Sequence, residues 1–189
     1  HKVGHEKQPD GTEKETFNEF LSIQGGSYFR AIGFGQHWGS SVRAVAINTG
    51  LNQPEEFPRW TKLWVQRPAP ESDHVNLYGL IDGPSVTGAF HLKIMPDMTT
   101  AVDVRGHLFF RRSVDKLGLA PIVSMFLFGE EEPARFGDYR AEVHDADGLV
   151  IRHPDGPVDW RPLRNPPRLS VSRFQVTNPA GFGLLQRDR

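Results

Sequence analysis

Apolar and polar residues alternate along this chain with a period of two, and glycine or proline breaks the alternation about every 8 to 12 residues, the spacing of a meandering all-β domain. His74 to Asp82 shows it best. Val75, Leu77, Gly79 and Ile81 fall on one side and His74, Asn76 and Tyr78 on the other. Ala101 to Phe110 repeats the pattern, with Val102, Val104, Leu108 and Phe110 inward and Asp103, Arg105 and His107 outward. Val86 to Met95, Val42 to Thr49, Lys62 to Arg67, Leu169 to Val176 and Gly181 to Gln186 are further predicted strands. Asp82-Gly83-Pro84-Ser85 has the residues of a tight corner joining two of them.

Helix signals are few. Thr16 and Glu19 have capping-box spacing and predict a short helix through Phe17, Phe20, Leu21 and Ile23. Ser113 to Leu117 predicts one helical turn, closed by Gly118. The first 15 residues are polar, with a turn at Pro9-Asp10-Gly11, and read as an exposed loop or hairpin tip. No internal repeat or composition shift divides the chain. The expectation is one all-β domain over residues 1–189, an antiparallel β-sandwich with one or two short helices.

Composition sharpens this. Hydrophobic residues are 38% of 189, enough for a buried core. The formal net charge of −1 argues against a nucleic-acid partner, which would call for a basic excess. No apolar run approaches the ~18 residues of a membrane span; Ile122 to Phe128 is interrupted by Ser124. Cysteine is absent, which removes disulfides, thiolate zinc sites and thiol nucleophiles together. That absence suits the periplasm and the cytosol alike. No signal peptide is legible and neither end reads as a natural terminus, so the sequence is expected to be a fragment. Strands missing from a sandwich leave open edges that associate, and a homodimer is a further expectation.

The segment with most chemistry is Glu142-Val143-His144-Asp145-Ala146-Asp147-Gly148, with three carboxylates and a histidine in six positions. Glycoside hydrolysis needs two carboxyl groups flanking the scissile bond, and such a loop can supply one. Spacing alone favours a plainer reading, an Asx turn built by Asp145 and Asp147-Gly148. A calcium loop is disfavoured because the distal Glu is lacking. Eight histidines show neither a zinc-helix spacing nor a Cys partner, so no metal and no other cofactor is expected. A nucleophile elbow is absent, and Gly33-Phe34-Gly35 lacks the third glycine of a nucleotide loop. Trp38, Trp60, Trp64 and Trp160, with Tyr28, Tyr78 and Tyr139, supply flat rings on which the CH faces of sugars stack, although most such residues in a sandwich are core. Tyr28-Phe29-Arg30, Gln36-His37-Trp38 and Trp160-Arg161 set ring and hydrogen-bonding group side by side.

Ordered blocks carry a resemblance. Ser27-Tyr28-Phe29-Arg30-Ala31-Ile32-Gly33, Ala46 to Gly50, Glu55 to Arg59, Pro84 to Ala89 and Lys116 to Pro121 resemble successive blocks of the MdoG/OpgG/OpgD family of periplasmic glucan biosynthesis proteins. Ser124 to Gly129, His144 to Leu149, Trp160 to Pro166 and Asn178 to Arg187 continue the series in the family's order. The resemblance implies a galactose mutarotase-like supersandwich, a periplasmic location and a part in making glucans with a β-linked glucose backbone. It covers the central part of the family's larger domain. Some members resemble inverting β-1,2-glucanases, which implies that Asp145 is the base side of the reaction. The general acid is expected beyond Arg189, so this chain alone is expected to hydrolyse nothing. Tyr28, Arg30, Trp38, Glu142, His144, Asp147, Trp160 and Arg161 are the candidate glucan-binding residues. The alternatives are a non-catalytic glucan-binding scaffold of the periplasm and, by fold analogy alone, an aldose epimerase.

Overall fold

A computed structural model of the chain describes residues 3–7, 9, 13–17, 19–36, 39–130, 132 and 137–186. Its contacts separate into two compact units, one of His1–His37 with Val42–Pro121, the other of Trp38–Ser41 with Ile122–Arg189. The regular structure of the described residues is all β, and the strand pairings described below are antiparallel.

In the first unit, β1 (Val3–Lys7) and β2 (Glu13–Phe17) pair as a two-stranded ribbon. The predicted turn at Pro9-Asp10-Gly11 lies mostly outside the described residues. β3 (Leu21–Gln24), β4 (Tyr28–Ala31) and β5 (Ser41–Arg43) follow in order, β3 beside β4 and β4 beside β5. β6 (Val45–Ile47) pairs with a later strand, β11 (Leu117–Leu119). Between them, β7 (Arg59–Val65), β8 (Val75–Asp82), β9 (Val86–Met95) and β10 (Ala101–Phe110) form a four-stranded meander.

The strict alternation in β8 and β9 does what a period of two dictates. Leu77, Ile81, Val86, Phe90, Leu92 and Ile94 fill one face and join Phe29, Ala44, Val45 and Ile47 from β4 to β6 in a single buried cluster, the two-layer arrangement of a β-sandwich. Trp60 and Phe90 meet edge to face at 5.8 Å inside it. These rings need bare backbone beneath them. A Cβ at Gly79 would lie 2.5 Å from Trp60 Cζ3, and one at Gly106 would lie 2.6 Å from Phe90 Cε1. The corner at Gly83 to Ser85 joins β8 to β9 as predicted, with Ser85 N–H donating to Glu56 Oε1 at 2.8 Å.

The second unit contains β12 (Ile122–Val123), β13 (Phe126–Phe128), β14 (Val143–His144), β15 (Gly148–Arg152), β16 (Val158–Pro162) and β17 (Gly181–Leu185). β13 pairs with β14 across a register shift, and β15 lies between β16 and β17. Phe128, Ala146 and Ile151 are its buried apolar residues.

Several expectations need correction. No helix occurs among the described residues. Phe17 ends β2, and Leu21 and Ile23 alternate in β3, opposite Ala31 and Phe29, where both pack against the core. Glu19 accepts from the Ser22 hydroxyl and faces Arg30 Nη2 at 3.6 Å, so the capping-box spacing serves side-chain contacts. Cross-strand burial outweighs a local signal of about 1 kcal/mol. The predicted turn of helix at Ser113 to Leu117 is lost to β11, because Lys116 exchanges bonds with Asn48: its N–H donates to Oδ1 at 3.1 Å and its carbonyl accepts from the Asn48 N–H at 3.0 Å. Val42 to Thr49 is two strands, broken where the Ala44 N–H turns to Ser27 O at 3.0 Å. Leu169 to Val176 is irregular, with Leu169 and Val171 exposed and no core to receive them.

Replacing Gly79 by Ala in the full-length protein should cost about 1–3 kcal/mol through overpacking against Trp60. Leu80→Ala, on the opposite face of the same strand, should cost less. Calorimetric melting would show the difference as a lower Tm for Gly79→Ala, by about 2–4 °C per kcal/mol.

Candidate functional site

The acidic segment singled out in the sequence runs along β14 and into β15. Strand alternation in β14 carries the His144 side chain inward, where only 9% of it stays exposed. Phe126, opposite it in register, stacks on the imidazole at 6.0 Å and 17°. Gly129 leaves room for the ring's other edge: a Cβ there would come within 3.2 Å of His144 Cδ2. Each ring nitrogen then faces a carboxylate. Nε2–H donates to Glu142 Oε2 at 3.0 Å, and Nδ1 lies 3.5 Å from Asp147 Oδ1. Glu142, His144 and Asp147 therefore form one cluster of polar side chains in contact.

Asp145 is adjacent in sequence but is held differently. Its Oδ2 accepts from the Met125 N–H at 3.1 Å, while its own N–H donates to Met125 O at 3.1 Å. The donor to this carboxylate is a backbone amide, while His144 turns to Glu142 and Asp147. The side chain is half-buried.

Asp147 is anchored through its backbone, its N–H donating to Leu185 O at 2.8 Å and its carbonyl accepting from the Leu163 N–H at 2.6 Å. Gly148 follows, and the Trp160 indole lies across it. A Cβ at Gly148 would sit 2.6 Å from Trp160 Cη2 and Cζ2, so the ring is pressed onto the backbone beside Asp147. Arg161 is exposed, with its guanidinium 5.2 Å from the Phe174 ring centre. Upstream, the two bonds from Arg140, Nε to Oδ1 at 3.0 Å and Nη2 to Oδ2 at 2.6 Å, hold the Asp138 carboxyl at about 2. That clamp persists until the pH falls through this range.

Of the other candidates, Tyr28 and Arg30 belong to the first unit, and Trp38 lies outside the described residues. The Tyr28 ring is covered by the Arg43 guanidinium at 4.4 Å, and the same guanidinium lies 4.3 Å from the Phe57 ring centre. Arg30 faces Glu19. Sequence reasoning overlooked Phe126 and the Met125 amide, although both sit in the Ser124 to Gly129 block that carries part of the family pattern. It also passed over His153, whose Nε2–H donates to Asp159 Oδ2 at 3.0 Å; that contact arises only when the β15–β16 hairpin folds back. Among the described residues no group of three His, Cys, Asp or Glu side chains is arranged to hold a metal ion, and no helix is long and apolar enough to cross a membrane.

The sequence pattern of the family described as "Periplasmic glucan biosynthesis protein, MdoG" matches residues 5–189. The chain belongs to this family. It is 51% identical over 172 residues to a glucans biosynthesis protein G of Ralstonia nicotianae, covering 91% of this chain and 34% of the relative. Over the same length it is 48% identical to a glucans biosynthesis protein G of Pseudomonas syringae pv. tomato, and 51% identical to one of Sodalis glossinidius, covering 27% and 33% of those proteins. The chain thus spans about a third of the curated relatives it matches.

His144→Ala in the full-length MdoG-family protein should destabilise it by about 1–3 kcal/mol, since a nearly buried ring and the partner of two acids are lost together. Glu142→Gln, at a more exposed carboxylate, should cost under about 1 kcal/mol. Chemical denaturation of the two variants distinguishes them.

Proposed function

We propose that this chain is the part of a periplasmic glucan biosynthesis protein that binds linear β-1,2-glucan and carries one half of an acid–base pair, with Asp145 on the base side of an inverting hydrolysis. The carrying observation is the loop itself. A half-buried aspartate, oriented by a backbone amide, stands next to a Glu142–His144–Asp147 cluster and the Trp160 indole on one short stretch of strand and turn. In this reading Asp145 draws a proton from the attacking water through a relay. Glu142 and Asp147 are oriented by His144 to accept from sugar hydroxyls, and Trp160 and Arg161 offer a ring face and a guanidinium to the sugar. Inversion needs a second carboxyl group about 6.5–9.5 Å away. In this reading that acid lies beyond Arg189, and the complete reaction belongs to the full-length protein.

One observation favours a second reading, a binding scaffold without turnover. Asp145 bonds Met125 through both its carboxylate and its N–H, a clasp that would close the turn whether or not any chemistry followed. The test is release of reducing ends from linear β-1,2-glucan by the full-length protein. Asp145→Asn should lower turnover at least about 10²-fold while leaving glucan binding near wild type. Undiminished turnover in that variant removes Asp145 from the base role. Binding by calorimetry with no product from the wild type establishes the scaffold instead.

A further inference from the structure

The outer face of the β7–β10 sheet carries a row of side chains that neither the core nor the acidic loop uses. Register aligns Trp64 with Tyr78, Tyr78 with His91, and His91 with Arg105, one residue from each strand. Strands lie about 4.8 Å apart, so the four form a line about 14 Å long across the sheet. In β8 and β9 the neighbours along the strand, Leu77, Gly79, Phe90 and Leu92, are buried on the opposite face, which places Tyr78 and His91 outward, and register sets Trp64 and Arg105 beside them on that face. Trp64 is 49% exposed and Tyr78 is 42% exposed.

Scattered exposed aromatics are ordinary, but this row is held in place. His91 stacks on Tyr78 at 4.8 Å and 13°. The His91 Nε2–H donates to Asn76 Oδ1 at 2.9 Å, and Asn76 Nδ2 donates to Gln66 Oε1 at 3.2 Å. This chain of bonds fixes the tyrosine ring before any ligand arrives, which lowers the ordering cost of binding. The row also interleaves flat rings with amide, imidazole, phenol and guanidinium groups. That combination suits a ligand with apolar CH faces rimmed by hydroxyls. Aromatic and cationic groups also suit single-stranded nucleic acid, but the charge balance is wrong for it. Lys93 stands opposite Asp103 in the adjoining row, and the chain as a whole carries −1.

We propose that the Trp64–Tyr78–His91–Arg105 row is a second glucan-binding platform, which holds a stretch of linear β-glucan by ring stacking and performs no chemistry. It rests on the reading that this protein handles β-glucan and adds a polymer-holding site on the first unit. A long chain would gain affinity there that an oligosaccharide too short to use both places would lack.

The experiment measures calorimetric binding of long linear β-1,2-glucan, and of a short oligosaccharide of the same linkage, to the full-length protein. Trp64→Ala/Tyr78→Ala should weaken polymer binding about tenfold or more and leave binding of the short oligosaccharide unchanged. Trp64→Phe with Tyr78→Phe keeps the rings and should stay within a few-fold of wild type, which guards against a folding defect. Wild-type affinity for the polymer in the alanine variant overturns the platform while leaving the proposed function standing. Absence of glucan binding by the wild-type protein overturns both. Binding of single-stranded DNA or dextran sulfate that vanishes in the alanine variant overturns the ligand class, and self-association that vanishes in sedimentation assigns the face to a second copy.

Discussion

The first unit depends on two aromatic rings packed directly against glycine backbone. Trp60 and Phe90 occupy the space that side chains at Gly79 and Gly106 would fill, and meet each other edge to face. Interiors tolerate neither voids nor overlap, so a ring of this size has one seat on a pleated sheet, over a residue without Cβ. That seat fixes the register of β7 against β8 and of β9 against β10. With register fixed, Leu77, Ile81, Leu92 and Ile94 all reach the core, and a slip of one residue would turn every one of them to the other face. The same constraint decides which residues face outward, so the Trp64 to Arg105 row is a consequence of how the core is packed.

The second unit repeats the device on a smaller scale. The Trp160 indole rests on Gly148 as Trp60 rests on Gly79, and His144 lies between Phe126 and the space left by Gly129. Here the packed groups are polar at their edges, so close packing also orients charge. A nearly buried imidazole has a carboxylate facing each of its nitrogens, and a buried polar group in that position would otherwise be costly. Asp145, one residue on, lies past the end of β14 and finds a backbone amide. The bend there divides the acidic segment into a tied cluster and a separately oriented aspartate. The proposed role of Asp145 draws on that division.

Much of this was legible in the residues. Alternation in His74 to Asp82 identified a strand, its inward face and the corner between β8 and β9; alternation in Ala101 to Phe110 identified β10, but of the residues read as inward Val102 and Leu108 pack against the core while Val104 and Phe110 stay exposed. The helices were misread because a capping box is a local signal. Thr16 and Glu19 satisfy it in sequence, but Leu21 and Ile23 gain more by pairing with β4. Leu169 to Val176 shows the converse: alternation without a neighbouring core to bury it leaves a chain irregular. Among the candidate site residues, closeness along the chain brought Glu142, His144 and Asp147 together, while the partner of Asp145 lay twenty positions away at Met125.

By itself the sequence determined an all-β chain, the inward face of β8 and, through ordered blocks, its place in the MdoG family. These follow from periodicity and residue identity, which the covalent chain already contains. Tertiary structure alone decided that Phe126 stacks on His144, that Asp145 bonds Met125, that Arg43 covers Tyr28, and that Trp64, Tyr78, His91 and Arg105 line up. Each is a contact between strands, set by register and by which backbone lets a ring approach, and no single strand carries that information.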